Sequence, residues 1–309
     1  VIHIKKIALF LTLACALFLC REASAQRIGQ LRRDVEFLSS EMCAGRGTGT
    51  AGAGEAAQLV ARRFAKYGLE PFTPGYCTSF FAGDKIGRNV IGLQPGWGDK
   101  YIVITAHYDN LGILEGNIYP GADSNASGVA MLLGLVEELA GNNYPQSIIF
   151  VALDAHQTMG GASDLLDRIE SGRLINPRTG RPVTANHITS VVNLDMLGAT
   201  SAPLHQGRPD YIIMLGSEKH RDLLLRLNID SMDIGFDYYG SASFTDMFLN
   251  RVGDQKVFHE AGIPVGLFTS GITMLTNKRE DTADSLDYEV MDKRFTLLYH
   301  FFDHSIPLL

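Results

Sequence analysis

The sequence predicts an α/β protein with a largely parallel sheet covered by helices on both faces. Three observations predict it. From Asn89 onward, short apolar runs alternate with helical repeats. One run, Ser147–Leu153, is continuously apolar and β-branched, as in a strand buried on both faces. The residues with metal or acid–base chemistry fall just after these runs, where open α/β sheets bind ligands.

Taken in chain order, residues 1–25 read as an export signal. Lys5 and Lys6 precede the apolar run Ile7–Leu19, and Ala23-Ser24-Ala25 supplies a small-x-small cleavage site. The run is too short for a good membrane anchor, and Thr12-Leu13-Ala14 before Cys15 is a poor lipoprotein match. The expectation is a periplasmic or secreted protein, with residues 26–309 as a single domain and no transmembrane segment in the mature chain. Ile28, Leu31, Val35 and Leu38 then recur at helical spacing, as do Ala56, Leu59, Val60, Phe64 and Tyr67. Between them, Gly45–Thr50 is a glycine-rich turn without the Lys-Ser/Thr ending of a phosphate loop.

Strands are expected at Asn89–Leu93, Tyr101–Ala106, Ser147–Leu153, Ile188–Leu194, Tyr211–Leu215 and Pro264–Thr269. Helices are expected around Val129–Leu139, Leu165–Ile169, Leu223–Leu227 and Phe295–Phe302, and residues 171–186, with two Gly and two Pro, form a loop. The 309 residues are 46% apolar and 20% charged, which excludes a disordered or fibrous chain. The net charge of −7, with scattered Lys and Arg, leaves no footprint for nucleic acid. In the mature chain Cys43 and Cys77 remain, a pair that could be bridged after export.

Several strand ends deliver His or Asp to one sheet edge. His107 and Asp109 follow the second strand, Asp123 precedes a helix, Asp154, His156 and Gln157 follow Leu153, and Asp195 follows Leu194. His107, Asp123 and Asp195 make a three-ligand set of the kind that holds a catalytic zinc, and Asp109 could orient His107 from behind.

These stretches resemble metallopeptidase family twenty-eight, the co-catalytic di-zinc aminopeptidases. The resemblance rests on Ala106-His107-Tyr108-Asp109, Gly121-Ala122-Asp123-Ser124-Asn125-Ala126-Ser127-Gly128 and Asn193-Leu194-Asp195-Met196, with Ala261-Gly262-Ile263-Pro264 and Asp281-Thr282-Ala283-Asp284 behind them. It spans about residues 30–300 and implies a three-layer α/β/α fold with a mixed eight-stranded sheet. It implies a first zinc on His107, Asp123 and Asp195, with Asp123 bridging to a second zinc and followed by a cis bond to Ser124. It also implies a Glu-Glu pair, general base then ligand, where this chain has His156-Gln157, and a ligand His where it has Asn277. A Ser-Asp-His stretch becomes Gly253-Asp254-Gln255.

These departures weaken the second metal, because amides replace a carboxylate and an imidazole, and they remove the carboxylate base. The expectation is therefore an exported pseudo-peptidase that binds at most one zinc and a peptide or small peptide-like ligand. Restoring His156, Gln157 and Asn277 together should then restore two-metal activity. The alternative is a one-metal hydrolase with His156 as base, although His156 could also ligate the metal. A glutaminyl-cyclase-like transferase is the poorer alternative, since it would need the substituted Glu and His.

Overall fold

The computed structural model describes residues 21–200, 207–216 and 220–307. Most of the expected export signal, residues 1–20 with Cys15 and Cys20, lies outside them. Residues 21–25 are the first described turns of helix α1, which runs to residue 38. There Ser24 Oγ donates to Asp292 Oδ2 at 2.6 Å and Arg27 pairs with Asp292. No helix among the described residues is long and apolar enough to cross a membrane.

The remaining helices are α2 (Ala51–Lys66), α3 (Gly128–Leu139), α4 (Gly160–Glu170), α5 (Arg221–Leu227), α6 (Ala242–Asn250), α7 (Gln255–Glu260) and α8 (Tyr288–Ser305). The strands are β1 (Glu70–Pro71), β2 (Cys77–Ala82), β3 (Lys85–Gln94), β4 (Tyr101–His107), β5 (Gly112–Leu114), β6 (Asn117–Tyr119), β7 (Ser147–Leu153), β8 (Ile188–Leu194), β9 (Tyr211–Leu215), β10 (Asp233–Gly235) and β11 (Val265–Thr269). β5 and β6 form a separate hairpin, and the other nine make one mixed sheet in the order β1-β3-β7-β4-β8-β11-β9-β10, with β2 also on β3.

The resemblance implies eight strands and the sheet has nine, for a simple reason. β3 is ten residues long, so one of its edges takes β2 along Lys85–Val90 and the two-residue β1 at Gly92 and Leu93. Nine strands thus fill eight positions. β7, β4, β8 and β11 are mutually parallel neighbours, with His107 beside Leu153 and Phe268 beside Leu194. Their carboxyl ends therefore share one edge.

Strand side chains alternate between two cores, as a two-residue period requires. Ile102, Ile104 and Ala106 join Ile148, Phe150 and Ala152 against α1, α2, α3 and α8. Tyr101 and Val103 join Ile149, Val151 and Leu153 against α4 and α7. Every residue of β4 and β7 is buried, which is why Ser147–Leu153 lacks polar alternation.

The Gly45–Thr50 turn leads directly into α2. Thr50 Oγ1 caps α2 by accepting from the Ala53 amide at 3.2 Å. Gly52 lets the helix start press on the Cys43 carbonyl, since a Cβ there would lie 1.9 Å from that oxygen. The expected bridge between Cys43 and Cys77 is absent; both are free thiols. They sit on elements anchored separately, Cys43 in the turn ahead of α2 and Cys77 opposite Val90 at the start of β2.

Arg46, in the same turn, is fully buried. Its guanidinium donates to the carbonyls of Tyr108, Pro120 and Gly121, each at 2.7 Å, and to that of Leu38. Arg46→Met should lower unfolding free energy by about 3–5 kcal/mol, because four buried carbonyls lose a charged donor. Urea unfolding checks this, with exposed Arg33→Met expected within about 0.5 kcal/mol of wild type.

Candidate metal centre

The parallel register carries His107, the segment 154–157 and Asp195 to the same edge, and their side chains meet there. Among the described residues, one group of His, Cys, Asp or Glu has its ligand atoms all within 4.8 Å of one another: His107, His156 and Asp195. His107 Nε2 lies 3.4 Å from Asp195 Oδ1, close to the edge of a zinc tetrahedron with bonds of about 2.0–2.2 Å. The two imidazoles stack, with centroids 3.8 Å apart and planes 10° apart.

Both imidazoles are held from behind. His107 Nδ1 lies 3.1 Å from the Asp109 carbonyl and 3.6 Å from its carboxylate. Asp109 does more than orient His107, as its two carboxylate oxygens also accept from the His156 amide at 3.1 and 3.0 Å. His156 Nδ1 lies 2.8 Å from Asp254 Oδ2. Asp254 is wholly buried, and its Oδ1 has no partner among the described residues.

The electrostatics follow from this crowding. Burial would lower His107, but Asp109 and Asp195 outweigh it and push its pKa up to about 10. Burial and His107 act to lower His156, yet Asp254 and Asp195 leave it raised. Burial would raise Asp195, but the two imidazoles hold it below the usual carboxylate range.

Asp123 is not in this cluster. Its Oδ1 accepts from the amides of Gly198 and Ala199 at 2.8 and 3.1 Å and from Ser127 Oγ at 3.2 Å. Its Oδ2 is buried without a partner among the described residues, and burial beside Asp281 pushes its pKa up to about 6. The next residue, Ser124, lines the cavity with His156 and Asp195. The turn sets this register. Gly121 is left-handed (φ 59°), and a Cβ there would lie 2.2 Å from Asn110 Nδ2. The Asp281 carboxylate then takes the Asp123 and Ser124 amides at 2.7 and 3.1 Å. The cis bond also falls one residue later than expected, at Ser124–Asn125.

Gln157 and Asn277 line the same cavity, of about 300 Å³. The residues present therefore fit one zinc and not two. His107, His156 and Asp195 offer imidazole and carboxylate donors, whereas Ser124, Gln157 and Asn277 offer a hydroxyl and two amides. Sequence reasoning missed Asp254 as the partner of His156, a contact spanning 98 positions with no local signal. It also missed Ser124, for which the signal was only its neighbour's place in the same motif.

The profile of Peptidase family M28 matches residues 89–302. Among solved structures, LapB from Legionella pneumophila superposes with a TM-score of 0.67 at 19% identity, covering 90% of this chain and 72% of that one. A glutaminyl cyclase from Fimbriiglobus ruber gives 0.69 at 15% identity, covering 91% and 95%. A Zn-dependent exopeptidase from Parabacteroides distasonis gives 0.63 at 14% identity, covering 89% and 96%. At these identities the likeness speaks for the fold, while the profile covers more than half of the sequence: the chain belongs to Peptidase family M28.

Proposed function

We propose that this protein is an exported, single-zinc member of the family that binds a peptide or small peptide-like ligand and has lost most or all aminopeptidase turnover. The observation that carries the reading is the His107–His156–Asp195 cluster with Asp254 behind His156. An imidazole whose Nδ1 is held by a carboxylate presents Nε2 as a metal ligand, the arrangement common in zinc proteins. His156 thus moves from the position of a base to the role of a ligand. Zinc bound there would polarise a ligand carbonyl as a Lewis acid. Export rests on the layout of residues 1–25.

The one-metal hydrolase with His156 as base is the weaker reading. A histidine that gives its Nε2 lone pair to zinc has none left for a proton. Other side chains at the cavity mouth, Ser124, Gln157 and Asn277, have no carboxylate to replace it. A cyclase-like transferase would need the Glu and His that Gln157 and Asn277 replace.

Mass spectrometry of purified protein should find one zinc per chain. His107→Ala and His156→Ala should abolish it, Asp254→Asn should weaken affinity about 10–100-fold, and Asp123→Asn should leave the stoichiometry unchanged. Two tightly held zincs, or loss of zinc in Asp123→Asn alone, would overturn the ligand assignment.

Wild-type turnover of aminoacyl substrates should be negligible with added zinc. The triple change His156→Glu, Gln157→Glu, Asn277→His should stay near background, because no carboxylate stands where Ser124 faces the cavity. Adding Ser124→Asp should give two zincs and a rate about 10²–10⁴ above wild type, the usual worth of a positioned base. Wild-type turnover that His156→Ala abolishes would establish the hydrolase reading instead.

A further inference from the structure

The cavity beside His156 and Asp195 has an apolar wall of Met196, Tyr238, Met247, Phe248, Leu267 and Ile272. Its polar lining divides sharply. Apart from His156 and Asp195, the polar side chains are Ser124, Gln157, Gln255, Thr269, Thr276 and Asn277, all uncharged. Gln255 is committed to the fold, donating to the Phe248 and Val252 carbonyls at 2.5 and 2.8 Å and accepting from Asn193 at 3.0 Å. Among the described residues, the Gln157 and Asn277 amides and the Ser124 hydroxyl have no such partner, so their donors and acceptors are free for a ligand.

Asp195, the one carboxylate of the lining, is 3.4 Å from His107 Nε2 and groups with both imidazoles at the metal cluster. Zinc held by His107, His156 and Asp195 would engage that carboxylate and place positive charge beside it. An α-ammonium entering here would lose its hydration, meet that charge and find no free anion. An amide head meets complementary donors and acceptors on two primary amides and a hydroxyl. Gln157 also lines a second, open cavity of about 810 Å³ along Thr48, Phe80 and Phe81, whose charged lining is Asp84, Lys85, Asp109, Asp164 and Asp167. A ligand chain therefore has room on both sides of Gln157.

We infer that the cleft selects peptides whose recognised residue has an apolar side chain and an uncharged, acylated nitrogen, in preference to peptides with a free α-ammonium. The inference rests on the reading of this cleft as a peptide site. It reverses the head-group requirement of an aminopeptidase.

The test is calorimetric titration of the full mature protein with acetyl-Phe-Ala-Ala and with Phe-Ala-Ala at pH 7, where the α-amine is largely protonated. The acetylated peptide should bind at least tenfold more tightly. Gln157→Glu and Asn277→Asp should each narrow that ratio, because the new carboxylate pairs with an α-ammonium and the lost amide N–H no longer donates to the acetyl carbonyl. Equal or tighter binding of Phe-Ala-Ala to wild type would overturn the inference, as would binding of neither peptide. Zinc content is measured on the same samples. Acetyl preference without zinc would sink the metal assignment alone, and zinc with free-amine preference would sink the head-group inference alone.

Discussion

A buried guanidinium fixes the frame on which the metal centre stands. Arg46 is inaccessible to solvent, and burial lowers its pKa to about 10, which still leaves it charged at neutral pH. A desolvated cation must be saturated by acceptors, and Arg46 takes backbone carbonyls from the end of α1, the residue after His107 and the two residues before the Ala122–Ser127 turn. Its own carbonyl accepts from the Asn110 amide at 3.2 Å. Three segments far apart in sequence are thus held at one point. The loop that follows β4 cannot move without stranding a charge.

The acids around this frame divide into structural and ligating groups. Asp281 and Asp123 are spent on backbone amides: the first holds the turn before α3, and the second holds the amides after β8. Asp154 does similar work, accepting from the Arg88 and Ala155 amides and from Thr48 and Tyr108 hydroxyls. These contacts carry the loops that present Ser124, His156 and Asp195. Asp123 shows that an acid within a metal-ligand motif can spend one carboxylate oxygen as a splice between loops.

Most of the fold was legible because buried strands announce themselves by composition. Ser147–Leu153, Ile188–Leu194 and Tyr211–Leu215 coincide with β7, β8 and β9, and β7 and β9 are buried along their whole length. β1, β10 and the β5–β6 hairpin were not legible; each is two or three residues long and depends on its neighbour for its geometry. α6 has no fully buried residue and meets the core only through the half-buried Phe248 and Leu249, so its apolar pattern is weak. At the site, His107, His156 and Asp195 were legible as residues after strands. Their grouping was not, because the choice between Asp123 and Ser124 turns on one residue of register set by Gly121 and Asp281. The Asp254–His156 contact depends on where α7 packs, which no local pattern encodes.

The charge balance of the centre explains why it suits one divalent ion. Asp109, Asp195 and Asp254 crowd two imidazoles, with His107, Asp109 and Asp254 buried and His156 and Asp195 facing the cavity. Two protons on the imidazoles, or one zinc with both imidazoles neutral, neutralise the same two of those three charges. The upward shifts of His107 and His156 register the field that the carboxylates create. A second zinc would add two positive charges where Ser124, Gln157 and Asn277 supply none of the opposite sign, and its desolvation would go uncompensated. The ionisable donors thus gather on the His107–His156–Asp195 side of the cavity, and the neutral ones, Ser124, Gln157 and Asn277, line the rest of it on the same sheet edge.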